Sequence, residues 1–262
     1  SAGHQRLQLP QRRRHAPGRH QHLRHEGPVG GEGLAQLRHA LHQTGGEDLL
    51  GIVALVQRLR PLMQRDPHTD ETGRYTIRSV YFDNYKDKAL REKLSGVQTR
   101  EKFRIRYYNE DLSFITLEKK IKHNDLCKKL DAPLTAEEYQ RILQAPGPWM
   151  LEHPEPLVGE LYCKMKLQQL RPRVLVSYVR EPYIYQAGNV RVTFDSHIRT
   201  SLFERDFAEG TPPDISATDA PGDTILEVKF DAFLPEVIRG LLQVGTLRQQ
   251  AFSKYGACRR FG

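Results

Sequence analysis

The run Lys102-Phe103-Arg104-Ile105-Arg106-Tyr107 alternates a cation with an apolar ring or branch at every step. Side chains of a β-strand point to opposite faces at every second residue. The run therefore reads as a two-faced strand, with Arg104 and Arg106 on one side and Phe103, Ile105 and Tyr107 on the other. The same period recurs with charges of both signs. Thr116, Glu118, Lys120 and Lys122 share one face, and Arg173 precedes Tyr178 and Arg180 in another strand; Arg191, Thr193 and Asp195 share a third face, Glu227 and Lys229 a fourth. Such strands build either a sheet whose charged side is wet or a closed barrel with a charged bore.

A chain of 262 residues is long enough for one large domain with a real core, and its formal net charge of +8 predicts attraction to polyanions. Nucleic acid, an anionic membrane surface and phosphorylated molecules or polymers all answer to that charge. Low aromatic content, with Trp149 in a Pro/Gly turn, provides no evident stacking platform for single-stranded nucleic acid, so no nucleic-acid partner is expected. There is no Walker phosphate loop and no Gly-rich dinucleotide fingerprint. Cys127, Cys163 and Cys258 fit neither a zinc spacing nor a disulfide framework. No stretch reaches the ~20 apolar residues of a membrane span, and the start of the chain lacks an apolar signal core. The expectation is a soluble, cytoplasmic protein in a reducing compartment, with a membrane-associated partner left open.

Two regions differ in kind. Residues 1–52 form an Arg/His/Gly-rich segment; up to Leu50 it has no Lys, Ile, Phe, Tyr, Trp, Met, Cys or Asn, and it is expected to be disordered apart from a short helix near Leu34 to His42. It is either a natural basic tail or the product of a GC-rich gene read out of frame before about Val56. Residues 53–262 look globular. Helices are predicted at Val53 to Met63, Asn84 to Leu94, from Thr135, at Pro156 to Gln169 and at Pro235 to Leu242. Strands are predicted at Tyr75 to Phe82, Glu101 to Tyr108, Ser113 to Ile121, Asp125 to Leu130, Arg173 to Tyr185, Asn189 to Ser196, Ile198 to Glu204 and Thr224 to Phe230. Thr135-Ala136-Glu137-Glu138 has the form of a capping box, and Ala208 to Gly222 reads as a surface loop. Short connections make the strands antiparallel, so the fold class is α+β with a sheet that closes or nearly closes.

Two details set the charged faces apart from a merely wet sheet. Arg104 and Arg106 lie on one face with no acidic neighbour expected, which is unfavourable unless an anion sits between them. Carboxylates are sparse and carry lysine two residues on, as in Glu118-x-Lys120 and Glu227-x-Lys229. Arginine forks grip phosphate oxygens, lysine adds a mobile charge, and a carboxylate can hold Mg²⁺ or Mn²⁺.

In chain order, Tyr81-Phe82-Asp83, Arg104-x-Arg106, Leu117-Glu118-Lys119-Lys120, Val176 to Tyr183, Arg191 to Asp195, Leu226-Glu227-Val228-Lys229 and Ser253-Lys254-Tyr255 together resemble the vacuolar transporter chaperone (VTC) domain. That family is the polyphosphate polymerase branch of the triphosphate tunnel metalloenzymes. The resemblance implies an eight-stranded antiparallel barrel with flanking helices, in which a nucleoside triphosphate, ATP as the expected donor, extends inorganic polyphosphate with Mn²⁺ or Mg²⁺ as cofactor. It implies that Arg104, Arg106, Lys120 and Arg180 form the catalytic cations and that Lys129, Tyr178, Lys229 and Lys254 add to the phosphate site. Glu227 and Glu118 would be the metal carboxylates. Family members open with a strand of Glu-x-Glu-x-Lys type, which nothing in residues 1–55 supplies, so the first strand is expected to be missing or replaced. A binder of polyphosphate without turnover, and a triphosphate hydrolase on the same barrel, are the competing readings.

Simpler roles fall to the remaining candidates. Asp83 and Asp87 read as a solvated helix start rather than a metal pair, His123 and His197 as polar turn residues, and Cys127 as structural.

Overall fold

The alternating run lies in a strand paired on both sides within one antiparallel sheet of the described residues. A computed structural model describes residues 36–40, 47–124, 126–202, 207, 213, 215–218, 223–243 and 252–260, and the elements all belong to the unit Gly33–Gly262. The strands are β1 (Gln36–Ala40), β2 (Gln64–Arg65), β3 (Tyr75–Asp83), β4 (Thr99–Tyr108), β5 (Asp111–His123), β6 (Leu126–Leu134), β7 (Arg171–Tyr185), β8 (Val190–Ser201), β9 (Ile215–Ser216) and β10 (Ile225–Lys229). The α-helices are α1 (Glu47–Leu59), α2 (Lys88–Leu94), α3 (Ala136–Gln144), α4 (Pro156–Gln168), α5 (Glu236–Leu241) and α6 (Lys254–Cys258).

Eight strands follow one antiparallel path, β1-β10-β8-β7-β3-β4-β5-β6, with β2 attached to β7 and β9 to β8. The expected eight-strand α+β design is thus present. Its terminal strands, β1 and β6, are not joined by a ladder among the described residues.

Alternation decides which side is packed. Phe103, Ile105 and Tyr107 of β4, with Ile115 and Leu117 of β5, meet Tyr139 and Ile142 of α3 and Leu157, Val158 and Leu161 of α4. Val192, Phe194, Leu226 and Val228 meet Leu55 and Leu59 of α1 and Ile238 of α5. Helices therefore cover the outer face. The capping box forms as predicted: the Thr135 hydroxyl accepts from the Glu138 N–H at 3.1 Å, and the Glu138 carboxylate accepts from the Thr135 N–H at 2.8 Å.

The opposite face is concave. Lys229 on β10 is electrostatically coupled to Lys120 on β5 and Arg106 on β4. Five ladder steps separate β10 from β5, about 24 Å across a flat sheet at ~4.8 Å per strand. Curling brings them within reach of each other. One end of the hollow is filled by a third apolar cluster, in which Tyr255 and Cys258 of α6 pack against Tyr81, Val174, Val176 and Tyr178.

Several expectations are corrected. The helix foreseen near Leu34 to His42 is instead strand β1, paired in register with β10 from Gln36↔Lys229 to Ala40↔Ile225. Hydrogen-bonding partners on β10 override the local sequence preference. The first strand, expected to be missing or replaced, is thus replaced, by Gln-Leu-Arg-His-Ala. Most of the segment 1–52 lies outside the described residues; 36–40 are strand and 47–52 are helix. The predicted break at 197 is a positive-φ residue (φ 52°) inside a continuous β8, at the register shift against β7. Within the span 208–222, mostly outside the described residues, Ile215–Ser216 add a short strand to β8. No helix among the described residues is long and apolar enough to cross a membrane.

Ile105 is fully buried between β4 and the outer helices. Ile105→Ala is expected to cost about 2–5 kcal/mol in a urea unfolding titration; a loss under ~1 kcal/mol would contradict this packing.

Candidate functional site

The hollow face gathers most of the charges singled out in the sequence. Across β4, β5 and β6 the register sets Lys102 opposite Lys120 and Lys120 opposite Lys129. The next row places Arg104 opposite Glu118 and Glu118 opposite Asp131. Like charges aligned directly across a ladder are unfavourable without an anion between them.

Two buried carboxylates hold the cations in place. Glu118, 5% exposed in its side chain, accepts from Arg104 Nε at 2.6 Å and faces Lys129 Nζ at 3.2 Å and Arg106 Nη1 at 3.6 Å. Burial pushes its carboxyl up, but Arg104, Arg106 and Lys129 outweigh that and bring it down to about 2. Asp195, wholly buried, accepts a two-pronged contact from Arg180, Nε at 2.7 Å and Nη2 at 2.8 Å, and a third bond from Lys254 Nζ at 2.6 Å. Burial alone would raise its pKa, yet these two cations hold it well below the usual carboxylate range.

The arginine pair proves unequal. Arg104 is committed to Glu118 and also donates to the Tyr81 hydroxyl at 2.9 Å. Arg106 makes only long contacts, to Tyr108 Oη at 3.5 Å and Glu118 at 3.6 Å, and its buried Nε has no hydrogen-bond partner. Its guanidinium is therefore poised for an oxyanion. Lys120 has no carboxylate partner among the described residues, and Lys129 is half-exposed at the lumen edge. Tyr178 is buried, with its ring under Lys254 Nζ at 4.8 Å and near the Arg180 guanidinium at 5.4 Å.

Lys229 shows the strength of the local field. Burial, Arg180, Lys120 and Arg106 together outweigh Glu227 and lower its ammonium to about 8. Tyr81 shifts in the same direction: burial raises the phenol, but Arg104, Lys102 and Arg106 bring it down to about 8. Both shifts report an unneutralised positive potential.

Of the two carboxylates assigned to metal by resemblance, Glu227 lies 3.6 Å from Lys229 and 3.7 Å from Arg180. Directly opposite it in the ladder stands Thr193, whose buried hydroxyl has no hydrogen-bond partner. Among the described residues no three His, Cys, Asp or Glu side chains converge. A hard cation that keeps waters and takes phosphate oxygens needs only one or two carboxylates, so Glu227 with Thr193 suits such an ion. Glu118, already facing three cations, does not.

Asp195 and Tyr81 received no site role in the sequence reading. Both lay within quoted motifs, but their roles depend on Lys254, Arg180 and Arg104 arriving from other strands or the far end of the chain. Asp83 and Asp87 form no metal pair. Asp83 is buried, not solvated: it accepts from the Ala89 and Leu90 N–H groups and from Tyr255 Oη at 2.7 Å, while Asp87 accepts from Arg173 and Arg259. His123 and His197 are exposed at strand ends or bends, and Cys127 is an exposed free thiol.

A family model described as VTC domain matches residues 50–261. No curated protein matches. Solved structures similar to the chain include a candidate adenylate cyclase from Bacillus halodurans, 14% identical, covering 81% of this chain and 87% of that one, with a TM-score of 0.45. Another is HpAC1 from Hippeastrum, a candidate adenylyl cyclase described as having a dominant triphosphatase activity, at 16% identity, 86% and 94% coverage and a TM-score of 0.48. The PH1012 protein of Pyrococcus horikoshii OT3 is 14% identical over 83% of this chain and 96% of its own, with a TM-score of 0.39.

Two pH effects follow. Glu118, held at about 2 in the folded chain, stabilises the fold above its unfolded pKa of ~4.3, and that stability is lost as pH falls toward 2. Urea midpoints should drop across that window, with a shallower drop in Glu118→Gln. Lys229, lowered to about 8, penalises the fold while charged, and the penalty is relieved as pH rises from 8 toward ~10.4. Its side-chain ¹³Cε resonance should titrate near pH 8; a midpoint above 10 would contradict the crowded cations.

Proposed function

Because the chain belongs to the VTC domain family, we propose that it transfers the terminal phosphoryl group of a nucleoside triphosphate, with ATP the expected donor, to a polyphosphate chain lying in the basic lumen. The observation that carries this reading is Arg106, a part-buried guanidinium whose buried Nε has no hydrogen-bond partner, on the same strand face as Arg104 and the Lys102–Lys120–Lys129 row. Phosphoryl transfer asks chiefly for in-line positioning and neutralisation of charge on phosphate oxygens, and it needs no protein nucleophile.

Arg104, Arg106, Lys120 and Arg180 surround the reacting phosphates in this reading, and Lys129, Tyr178, Lys229 and Lys254 extend the track along which the polymer lies. A terminal oxygen of the acceptor forms the new bond to the γ-phosphorus, the bond to the β-phosphate bridging oxygen breaks, and the nucleoside diphosphate leaves. Glu227, with Thr193 beside it, would hold a divalent ion, Mn²⁺ or Mg²⁺, whose charge would offset that of the phosphates. Glu118 acts through Arg104 and Arg106 by fixing their positions, rather than through the metal. Asp195 does the same for Arg180 and Lys254.

A second reading, polyphosphate binding without turnover, is favoured by one observation. Strand β1 fills the place next to β10 with Gln-Leu-Arg-His-Ala, which contains no carboxylate. Incubation with ATP and Mn²⁺ separates the cases. Polymer formed by the full chain and abolished in Arg106→Ala supports the transferase, while orthophosphate alone indicates a hydrolase and salt-sensitive polyphosphate binding without turnover indicates the binder. Full activity in Arg106→Ala would sink all three assignments of the lumen.

A further inference from the structure

Beyond the phosphate-binding cations, one mouth of the lumen carries a continuous set of rings. Tyr75 is buried opposite Arg180 in the β3–β7 ladder and is electrostatically coupled to Arg180 and Arg191. Its ring meets Tyr108 edge-on, with centroids 5.7 Å apart at 76°. Tyr108 in turn lies 6.2 Å from Phe114 at 38°. Phe114 shares the inward face of Thr116 and Glu118 but stands nearer the β4–β5 turn, and it is 49% exposed. The three rings thus run from the buried cations outward to solvent.

A lone exposed phenylalanine on a protein surface needs no explanation. Phe114 is not alone: it ends a ring series that reaches the Arg106 guanidinium, whose Nη1 lies 3.5 Å from Tyr108 Oη. The combination of an accessible aromatic face with an adjoining oxyanion site matches a ligand that is flat and apolar at one end and polyanionic at the other. A nucleoside triphosphate has that form; inorganic phosphate chains do not. Base stacking on aromatic faces needs no hydrogen-bonding partner for the base edge.

Resting on the proposed function above, we infer that Phe114, backed by Tyr108, is the stacking platform for the nucleobase of the donor nucleotide and orients it with its phosphates toward Arg106. The rim therefore distinguishes nucleotide from polymer within one lumen: the donor enters past Phe114, and a polyphosphate chain gains nothing from the ring.

Calorimetric titrations of the full-length chain and of Phe114→Ala with ATP and with inorganic tripolyphosphate, both with Mg²⁺, test this. Phe114 packs at the exposed rim, so its truncation leaves the core clusters intact. The expected result is ATP binding weakened about 5- to 100-fold in Phe114→Ala, tripolyphosphate binding unchanged, and ATP binding restored in Phe114→Trp. Unchanged ATP affinity in Phe114→Ala overturns the inference while leaving the phosphate site standing, as does an equal weakening of both ligands. If neither ligand binds the unaltered chain, the phosphate-binding reading itself fails and the rim assignment with it.

Discussion

Everything in this fold is arranged around mutual repulsion among cations that share one hollow. Arg104, Arg106, Lys120, Lys129, Arg180, Lys229 and Lys254 project into it, and charges brought together with little water between them interact far more strongly than at a surface. Glu118 and Asp195 make the arrangement tolerable. Each is buried, and each neutralises cations from different elements. The outer helices supply the complementary term: apolar residues on the reverse of the same strands bury against α1, α3, α4 and α5, which offsets the cost of assembling the charged side. A strand such as β4 therefore stabilises the protein with one face and prepares a binding site with the other.

The two carboxylate knots differ in what they constrain. Glu118 acts across neighbouring strands β4, β5 and β6, so it sets the spacing of cations along one wall. Asp195 joins β7 to the last helix, so the position of Lys254 depends on a contact spanning the fold. Between them, Arg106 and Lys229 are left with weaker compensation, and a polyanion would find its strongest attraction there.

The sequence carried the wall but not its internal contacts. Period-two alternation identified β4, β5, β7, β8 and β10 and the inward residues on each, because side-chain direction in a strand is fixed by position alone. Partnership is another matter. That Arg104 is bound to Glu118 while Arg106 is nearly free depends on ladder register and side-chain reach. Nothing local in Gln36–Ala40 signals a strand either; its pairing comes entirely from β10. Asp83 read as a solvated helix start for the same reason, since its partner Tyr255 lies 172 positions away.

The anchoring of α6 gives the outer turn after β3 an unexpected reach. Asp83 holds Tyr255 and the start of α2, and Asp87 holds Arg259. Lys254 immediately precedes Tyr255 in the same short helix and ends on Asp195 in the lumen. The helix thus ties Asp83, at the end of β3, and Asp87, in the turn after it, to an ammonium in the hollow. A displacement of the turn at 84–88 would therefore pull, through Asp87 and Arg259, on the helix that carries Lys254 into the lumen.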